Sequence, residues 1–119
     1  MADNKLVTLS KGFAIDTINL CEKLKMRKKA TAIINQLLRS ATSIGANIHE
    51  ANYASSRADF INKFQIALKE CYETDYWIDV FHKAFIITDE EYSHMYSQCS
   101  KIRKLLIASI TTAKKGNSK

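Results

Sequence analysis

Apolar residues return every three or four positions through four long stretches of this 119-residue chain, and no proline interrupts any of them. That spacing matches the 3.6-residue turn of an α-helix, and with only three glycines beside the missing proline, nothing in the chain enforces frequent turns. A chain of this length buries roughly two-thirds of the surface its unfolded form exposes, enough for one core. With 46% hydrophobic residues, the expectation is a single all-helical domain spanning 1–119.

Leu6, Leu9, Phe13, Leu20 and Leu24 predict a first helix over about 6–26, closed by cations that suit the negative end of a helix. Ala30, Ile33, Leu37, Ala41, Ile44 and Ile48 predict a second over 29–51, ending at the polar run "NYASS". Ser56, with Asp59 three residues on, caps a third over 57–87, in which Phe60, Phe64, Ala67, Cys71, Ile78 and Phe85 share one face. Thr88 and Glu91 have capping-box spacing for a fourth over 89–113, with Tyr92, Met95, Cys99, Ile102, Leu106 and Ile110 inward; the tail 114–119 is expected to fray. Four long helices with short connections favour an antiparallel up-down-up-down four-helix bundle. Two helical hairpins swapped between subunits would leave the same pattern.

Cys21, Cys71 and Cys99 are odd in number, widely separated and embedded in apolar stripes, which argues for buried reduced thiols rather than a disulfide framework or a zinc module. The first residues, "MADNKLVTLSKG", lack the apolar core of a secretion signal, and no apolar run approaches the roughly 20 residues of a membrane span, so a cytoplasmic protein with no membrane partner is expected.

Candidate chemistry is thin. Helical bundles with carboxylate-bridged metals use Glu-x-x-His pairs, and Glu91 with His94 and Asp79 with His82 have or approach that spacing. The adjoining part of the second helix, Lys28 to Leu38, carries no acid, and His94 projects away from its helix's core stripe. His82 is expected instead as a core-edge histidine bonded to a neighbour such as Asp79. Ser43 and Glu50 share a helix face from which His49 points away, which rules against a hydrolase triad. No phosphate loop, nucleophile elbow or Cys-x-x-Cys pair occurs. The expectation is no enzyme, no metal and no cofactor.

Charge is more informative. Residues 1–49 hold eight basic and three acidic side chains, residues 50–91 four and nine, and residues 92–119 six and none, within a net +6. "KLKMRKK" places Lys23, Lys25, Arg27, Lys28 and Lys29 in seven residues at the first connection, and Lys101, Lys104 and Lys115 fall on the solvent face of the fourth helix. Such clusters suit phosphate binding; the first equally suits a solvated helix C-terminus. With lysines outnumbering arginines and no aromatics interleaved, they predict backbone contact with little sequence readout, by RNA or DNA. The acidic run Asp89 to Glu91 is expected close to the first cluster.

A second face suggests self-association. Arg39, Ser43, Asn47 and Glu50 lie with Ala32, Gln36 and Ala46 opposite the core stripe of the second helix, and these mostly small side chains let another backbone approach. On the third helix Tyr76, Trp77 and Val80 project away from its core face, with Ile66 and Ala84. Arg39 and Glu50 are too far apart to pair with each other along one helix, so each is expected to meet a group on another helix or subunit.

Residues 36–78 resemble the four-helix-bundle family of 23S ribosomal RNA intervening-sequence proteins. "QLLRSATSIGANIHEA" follows that family's pattern at Gln36, Arg39, Ser40, Ser43, Ile44, Asn47, Ile48 and Glu50, and "DFINKFQIALKECYETDYWI" extends it through Asp59, Phe60, Ala67, Glu70 and Glu73. Ala51 stands where a glycine is common, and Leu68-Lys69 where a Gly-Ser pair is frequent. The resemblance implies a bundle assembling into a homo-oligomeric ring, typically a pentamer. Some relatives are accessory proteins of diversity-generating retroelements, whose basic ring binds nucleic acid and works with a reverse transcriptase. The expectation is therefore a non-enzymatic oligomeric bundle that binds nucleic acid and scaffolds a nucleic-acid-processing partner; the alternative is a protein-binding adaptor with no nucleic-acid role.

Overall fold

The four apolar stripes become four α-helices in the computed structural model, which describes residues 4–116. They are α1 (Asn4–Met26), α2 (Ile34–Ala51), α3 (Arg57–Lys83) and α4 (Asp89–Gly116), with no strand among the described residues. On α3 the buried residues Phe64, Ala67, Cys71, Thr74, Ile78 and Phe81 alternate steps of three and four. That rhythm keeps one seam turned inward along helices that run almost parallel to one another.

Each helix packs against two neighbours, in the order α1, α2, α3, α4, with α4 returning to α1. Cross-helix pairs give the direction. Arg39 reaches Glu70 and Glu73 while Glu50 reaches Lys63, so residue numbers rise on α2 as they fall on α3. His82 meets Asp89 and Asp75 meets Arg103 between α3 and α4, and Arg27 meets Glu91 while Asp16 meets His94 between α1 and α4. All three seams are antiparallel, and the bundle measures 53 × 21 × 20 Å. The α1–α2 and α3–α4 connections share one end.

The core joins Leu6, Phe13, Leu20 and Leu24 of α1 to Ile34, Leu37, Ile44 and Ile48 of α2, Phe64, Ile78 and Phe81 of α3, and Met95, Ile102 and Leu106 of α4. Four hydroxyl residues are buried among them: Ser10, Thr17, Ser40 and Thr74. Ser10, Thr17 and Thr74 donate back to a carbonyl three or four residues earlier in their own helices, and the Ser40 hydroxyl, 3.2 Å from the Leu37 carbonyl and 2.9 Å from Thr74 Oγ1 across the α2–α3 seam, has one proton to give to either. Polar atoms satisfied in this way enter a core without the penalty of an unmade bond. All three cysteines are buried and free; Cys99 donates to the Cys71 carbonyl at 3.7 Å.

Three helix ends depart from the spacing. α2 starts at Ile34, not residue 29, because Lys28 and Ala30 take left-handed backbone (φ 58° and 49°) and Thr31 to Ile33 form a turn. α3 stops at Lys83, not residue 87, and Phe85, expected in the core, is 89% exposed with φ 61°. Phe81 takes its place inside. Residues 114–116, expected to fray, continue α4; residues 117–119 lie outside the described residues.

Candidate functional site

At the end shared by the α1–α2 and α3–α4 connections, both incoming helices stop in the same way. In α1 the Lys29 N–H donates to the Leu24 carbonyl at 3.1 Å and the Lys28 N–H to Lys25 at 3.0 Å; in α3 the Ile86 N–H donates to Phe81 at 2.8 Å and the Phe85 N–H to His82 at 3.0 Å. This is the Schellman closure, whose left-handed residue is usually glycine because a Cβ costs energy there. Here the positions hold Lys28 and Phe85.

Departing α4 is capped at the same end. Thr88 Oγ1 accepts the Glu91 N–H at 3.0 Å, and Glu91 Oε1 accepts the Thr88 N–H at 2.9 Å, a reciprocal capping box. Glu91 also accepts both Arg27 Nη atoms, at 3.2 and 2.9 Å. The Arg27 guanidinium, helped by the Thr88 N–H, holds the Glu91 carboxyl below the usual carboxylate range despite partial burial. The acidic run does adjoin the first basic cluster, and it removes one cation from it: Arg27 is engaged by Glu91. Lys23, Lys25, Lys28 and Lys29 are all exposed and enter no ion pair among the described residues.

The second basic group is not brought to this end. Lys101 and Lys104 are exposed on α4, roughly 18 Å or more from its start at 1.5 Å per residue, and Lys115 lies near the far end of the rod, roughly 39 Å away. Arg103 between them is three-quarters buried or more and donates to Asp75 at 3.1 Å. Burial raises the Asp75 carboxyl above its ordinary range, with the Cys99 thiol and Arg103 opposing.

Two charged side chains of the small-residue face of α2 reach α3 within one chain, while Ala32, Gln36 and Ala46 stay exposed. Arg39 donates to Glu73 at 2.6 Å and to Glu70 at 3.5 Å, and the Trp77 indole N–H donates to the same Glu73 at 3.2 Å. These donors, Arg39 first, hold the Glu73 carboxyl low. Lys63 donates to Glu50 at 3.0 Å, and Asn47 donates to the Ser43 carbonyl at 2.8 Å. Arg39 and Glu50 thus find their partners on the adjacent helix of the same chain. Trp77 and Val80, expected to project from the bundle, are half-buried against its core, because the indole tilts toward Phe81 with ring centres 6.4 Å apart. Tyr76 and Tyr72 remain 59% and 53% exposed.

The remaining candidates are occupied with structure. His82 Nε2 hydrogen-bonds Asp89 at 2.7 Å rather than Asp79, which takes Lys83 instead. The reason is geometric: Asp79 lies one turn back, while the chain reversal brings the start of α4 to the His82 ring, which also stacks on Tyr92 at 4.1 Å. His94 and Gln98 both bond Asp16 of α1. His49 lies against Tyr53 and Glu50 holds Lys63, so Ser43 has no base positioned for it. No group of three or more metal-ligating side chains forms among the described residues. No helix among them is long and apolar enough to cross a membrane.

Sequence spacing missed Phe85 as a surface residue, since seven residues from Ile78 is a core interval. It also missed the Asp75–Arg103 pair, whose partners lie 28 residues apart and carry no local signature. In the structure a cleft of about 840 Å³ opens at the strained end, lined by Arg27, Lys29, His82, Lys83, Phe85 and Ile86 among others.

No curated protein matches the chain. A crystal structure of a protein with unknown function from the S23 ribosomal protein family of Bacteroides thetaiotaomicron is 46% identical to it. The match covers 93% of this chain and 99% of that one, with a TM-score of 0.88. The model of the 23S rRNA-intervening sequence proteins matches residues 2–108. By sequence along most of its length and by fold, the chain belongs to the 23S rRNA-intervening sequence protein family.

Proposed function

We propose that the protein is a non-enzymatic, cytoplasmic, oligomeric helical bundle that holds RNA or DNA by its phosphate backbone. One observation carries the reading: Lys23, Lys25, Lys28 and Lys29 stand exposed at one end and form no ion pair among the described residues, while Arg27 and Glu91 neutralise each other beside them. Exposed lysines unpaired within the fold attract phosphate diffusely and read little sequence. A single copy offers few such contacts, so the reading includes a ring, the pentamer that the family resemblance implies, which repeats the cluster and gains avidity. Exposed Ile15, Ile18, Tyr72 and Tyr76 give apolar area for contact between copies. Lys101, Lys104 and Lys115 form a second basic stripe, toward the far end of each bundle. Scaffolding of a reverse transcriptase or another nucleic-acid enzyme completes the proposal.

The test is fluorescence anisotropy with labelled strands of unrelated sequence across a salt series. Affinity should fall steeply with salt and differ little between sequences. Lys25→Gln, Lys28→Gln and Lys29→Gln together should weaken binding and flatten the slope of log K against log salt by up to about three phosphate contacts' worth. No binding at low salt by an intact oligomer, or strong preference for one short sequence, overturns the reading. The adaptor alternative is favoured by the exposed Tyr72 and Tyr76; sedimentation of a monomer that binds no strand would support it.

A further inference from the structure

Phe85 is the least economical residue in the fold. Its ring is 89% exposed, more than any other large apolar side chain among the described residues, and its backbone sits at φ 61° in the Schellman position where glycine costs least. The fold gains almost no burial from the ring and tolerates strain to carry it. Lys28 and Ala30, the other two non-glycine residues with positive φ among the described residues, belong to the connection at the same end. Non-glycine residues held in left-handed backbone cluster at functional sites.

The surroundings identify a chemistry. Phe85 lines the 840 Å³ cleft together with Ile86 and Ile87, while Arg27, Lys29 and Lys83 line it as cations. Of the acids nearby, Glu91 is paired with Arg27 and Asp79 with Lys83; Asp89, which lines the same cleft, hydrogen-bonds His82 with its side chain 98% exposed, and Glu90 faces solvent on the same turn. Lys29, and Lys28 in the adjoining turn, enter no ion pair among the described residues. An open aromatic face beside unpaired cations fits a flat π-system that carries phosphate. Base–aromatic stacking is the ordinary means by which proteins hold unpaired strands, whereas a duplex keeps its base faces stacked on each other.

We infer that the cleft at the α3–α4 turn is a single-strand site, in which a nucleobase stacks on Phe85 while flanking phosphates lie on Lys28 and Lys29. This rests on the nucleic-acid reading above and deepens it from backbone attraction to recognition of unpaired bases.

The experiment compares a base-bearing oligothymidine with an abasic strand of equal length and charge, and with a duplex of unrelated sequence, on the intact oligomer. The wild type should bind the base-bearing strand roughly 5- to 100-fold more tightly than the abasic one, the range that stacking one base supplies. Phe85→Gly should abolish that difference while leaving abasic and duplex binding unchanged, and its Tm should stay level or rise by about 3 °C, since glycine relieves the left-handed strain. Phe85→Leu, which keeps bulk and strain but lacks the π-face, should lose most of the difference as well. Equal wild-type affinity for base-bearing and abasic strands overturns the inference while leaving backbone binding intact. Unaltered discrimination in Phe85→Gly overturns it too, as does a variant whose oligomer shrinks while strand affinity holds, which would make a second copy the occupant. Failure of the wild type to bind any strand removes the underlying reading, and the inference with it.

Discussion

Where α2 meets α3, the chain turns by ordinary local chemistry: Ser56 accepts the Asp59 N–H at 3.1 Å, Asp59 accepts the Ser55 N–H at 3.2 Å, and no residue there has positive φ. The cleft at that end is lined largely by small neutral groups such as Ala54, Ala108 and Ala113, and the one cation lining it among the described residues, Arg57, donates to the Ala113 carbonyl at 3.1 Å. At the opposite end the chain reverses twice, and among the described residues three non-glycine residues there occupy left-handed backbone and four lysines form no ion pair. Both ends close the same core. A closure built from capping bonds alone therefore suffices for this fold, and the strained, cationic closure needs a reason outside stability.

The two ends behave together only if the middle of the bundle ties them into one cooperative unit, and a substitution there has the largest effect. Arg103→Met leaves Asp75 as a partly buried carboxylate without its cation, and one of its oxygens, Oδ1, already lacks a partner. The loss should be about 2 kcal/mol at neutral pH, below the value for a fully buried pair because each side chain retains some exposure. The sign with pH follows from the direction of the shift. Burial raises the folded Asp75 pKa above its unfolded value, so the cost of the charge is complete above that raised value and fades as pH falls through it. Urea titrations at pH 7 and pH 3 should show a deficit at the first and little at the second. Two separate transitions for the variant would break the assumption of one unit.

The apolar period made most of the bundle legible from sequence, because Leu37, Ile44, Ile48, Met95, Cys99, Ile102 and Leu106 can be inward only at helical spacing. The Ser56 cap and the Thr88–Glu91 box were equally readable, since each is a contact within four residues. The ends of α1 and α3 were not. Their stop signal is normally a glycine, and Lys28 and Phe85 occupy its place, so a period-based reading runs on through both, carrying Phe85 into the core. Cross-helix partners such as Glu73 for Arg39, or Asp89 for His82, depend on the register between helices, which no single stripe specifies. The basic cluster was visible; that Glu91 subtracts Arg27 from it required the fold.

Each end has one capping side chain whose removal can be measured: Ser56 at one and Glu91 at the other. Ser56→Ala should cost about 1 kcal/mol by orphaning the Asp59 N–H, independently of pH because the bond joins a backbone amide to a hydroxyl. Glu91→Gln should cost a similar amount at pH 7, through the weakened cap and the lost pair with half-exposed Arg27. Its pH dependence differs. The folded Glu91 pKa lies below the unfolded one, so its contribution is complete above the ordinary carboxylate range and is lost as pH falls through the depressed value. The two variants should therefore diverge in acid, with Glu91→Gln approaching wild type in thermal melts as pH falls through that depressed value. A pH-independent deficit for Glu91→Gln would mean that packing rather than charge joins α1 to α4 at this end.

The smallest effect tests the contrast in backbone strain directly, with the same substitution at both ends. Ala30 sits at φ 49°, where its Cβ is unfavourable, and it is not one of the cations of the cluster. Ala30→Gly should stabilise the protein by about 0.5 kcal/mol, the relief of the left-handed strain exceeding the added freedom of the unfolded chain. Ala54, in the α2–α3 connection, has no positive φ to relieve. Ala54→Gly should therefore destabilise by about 0.5 kcal/mol, because only the unfolded-state entropy changes. Differential scanning calorimetry resolves shifts of this size as roughly 2 °C in opposite directions. Shifts of the same sign would mean that the two ends store no different strain, and the case for a functional cause at the basic end would lose its backbone argument.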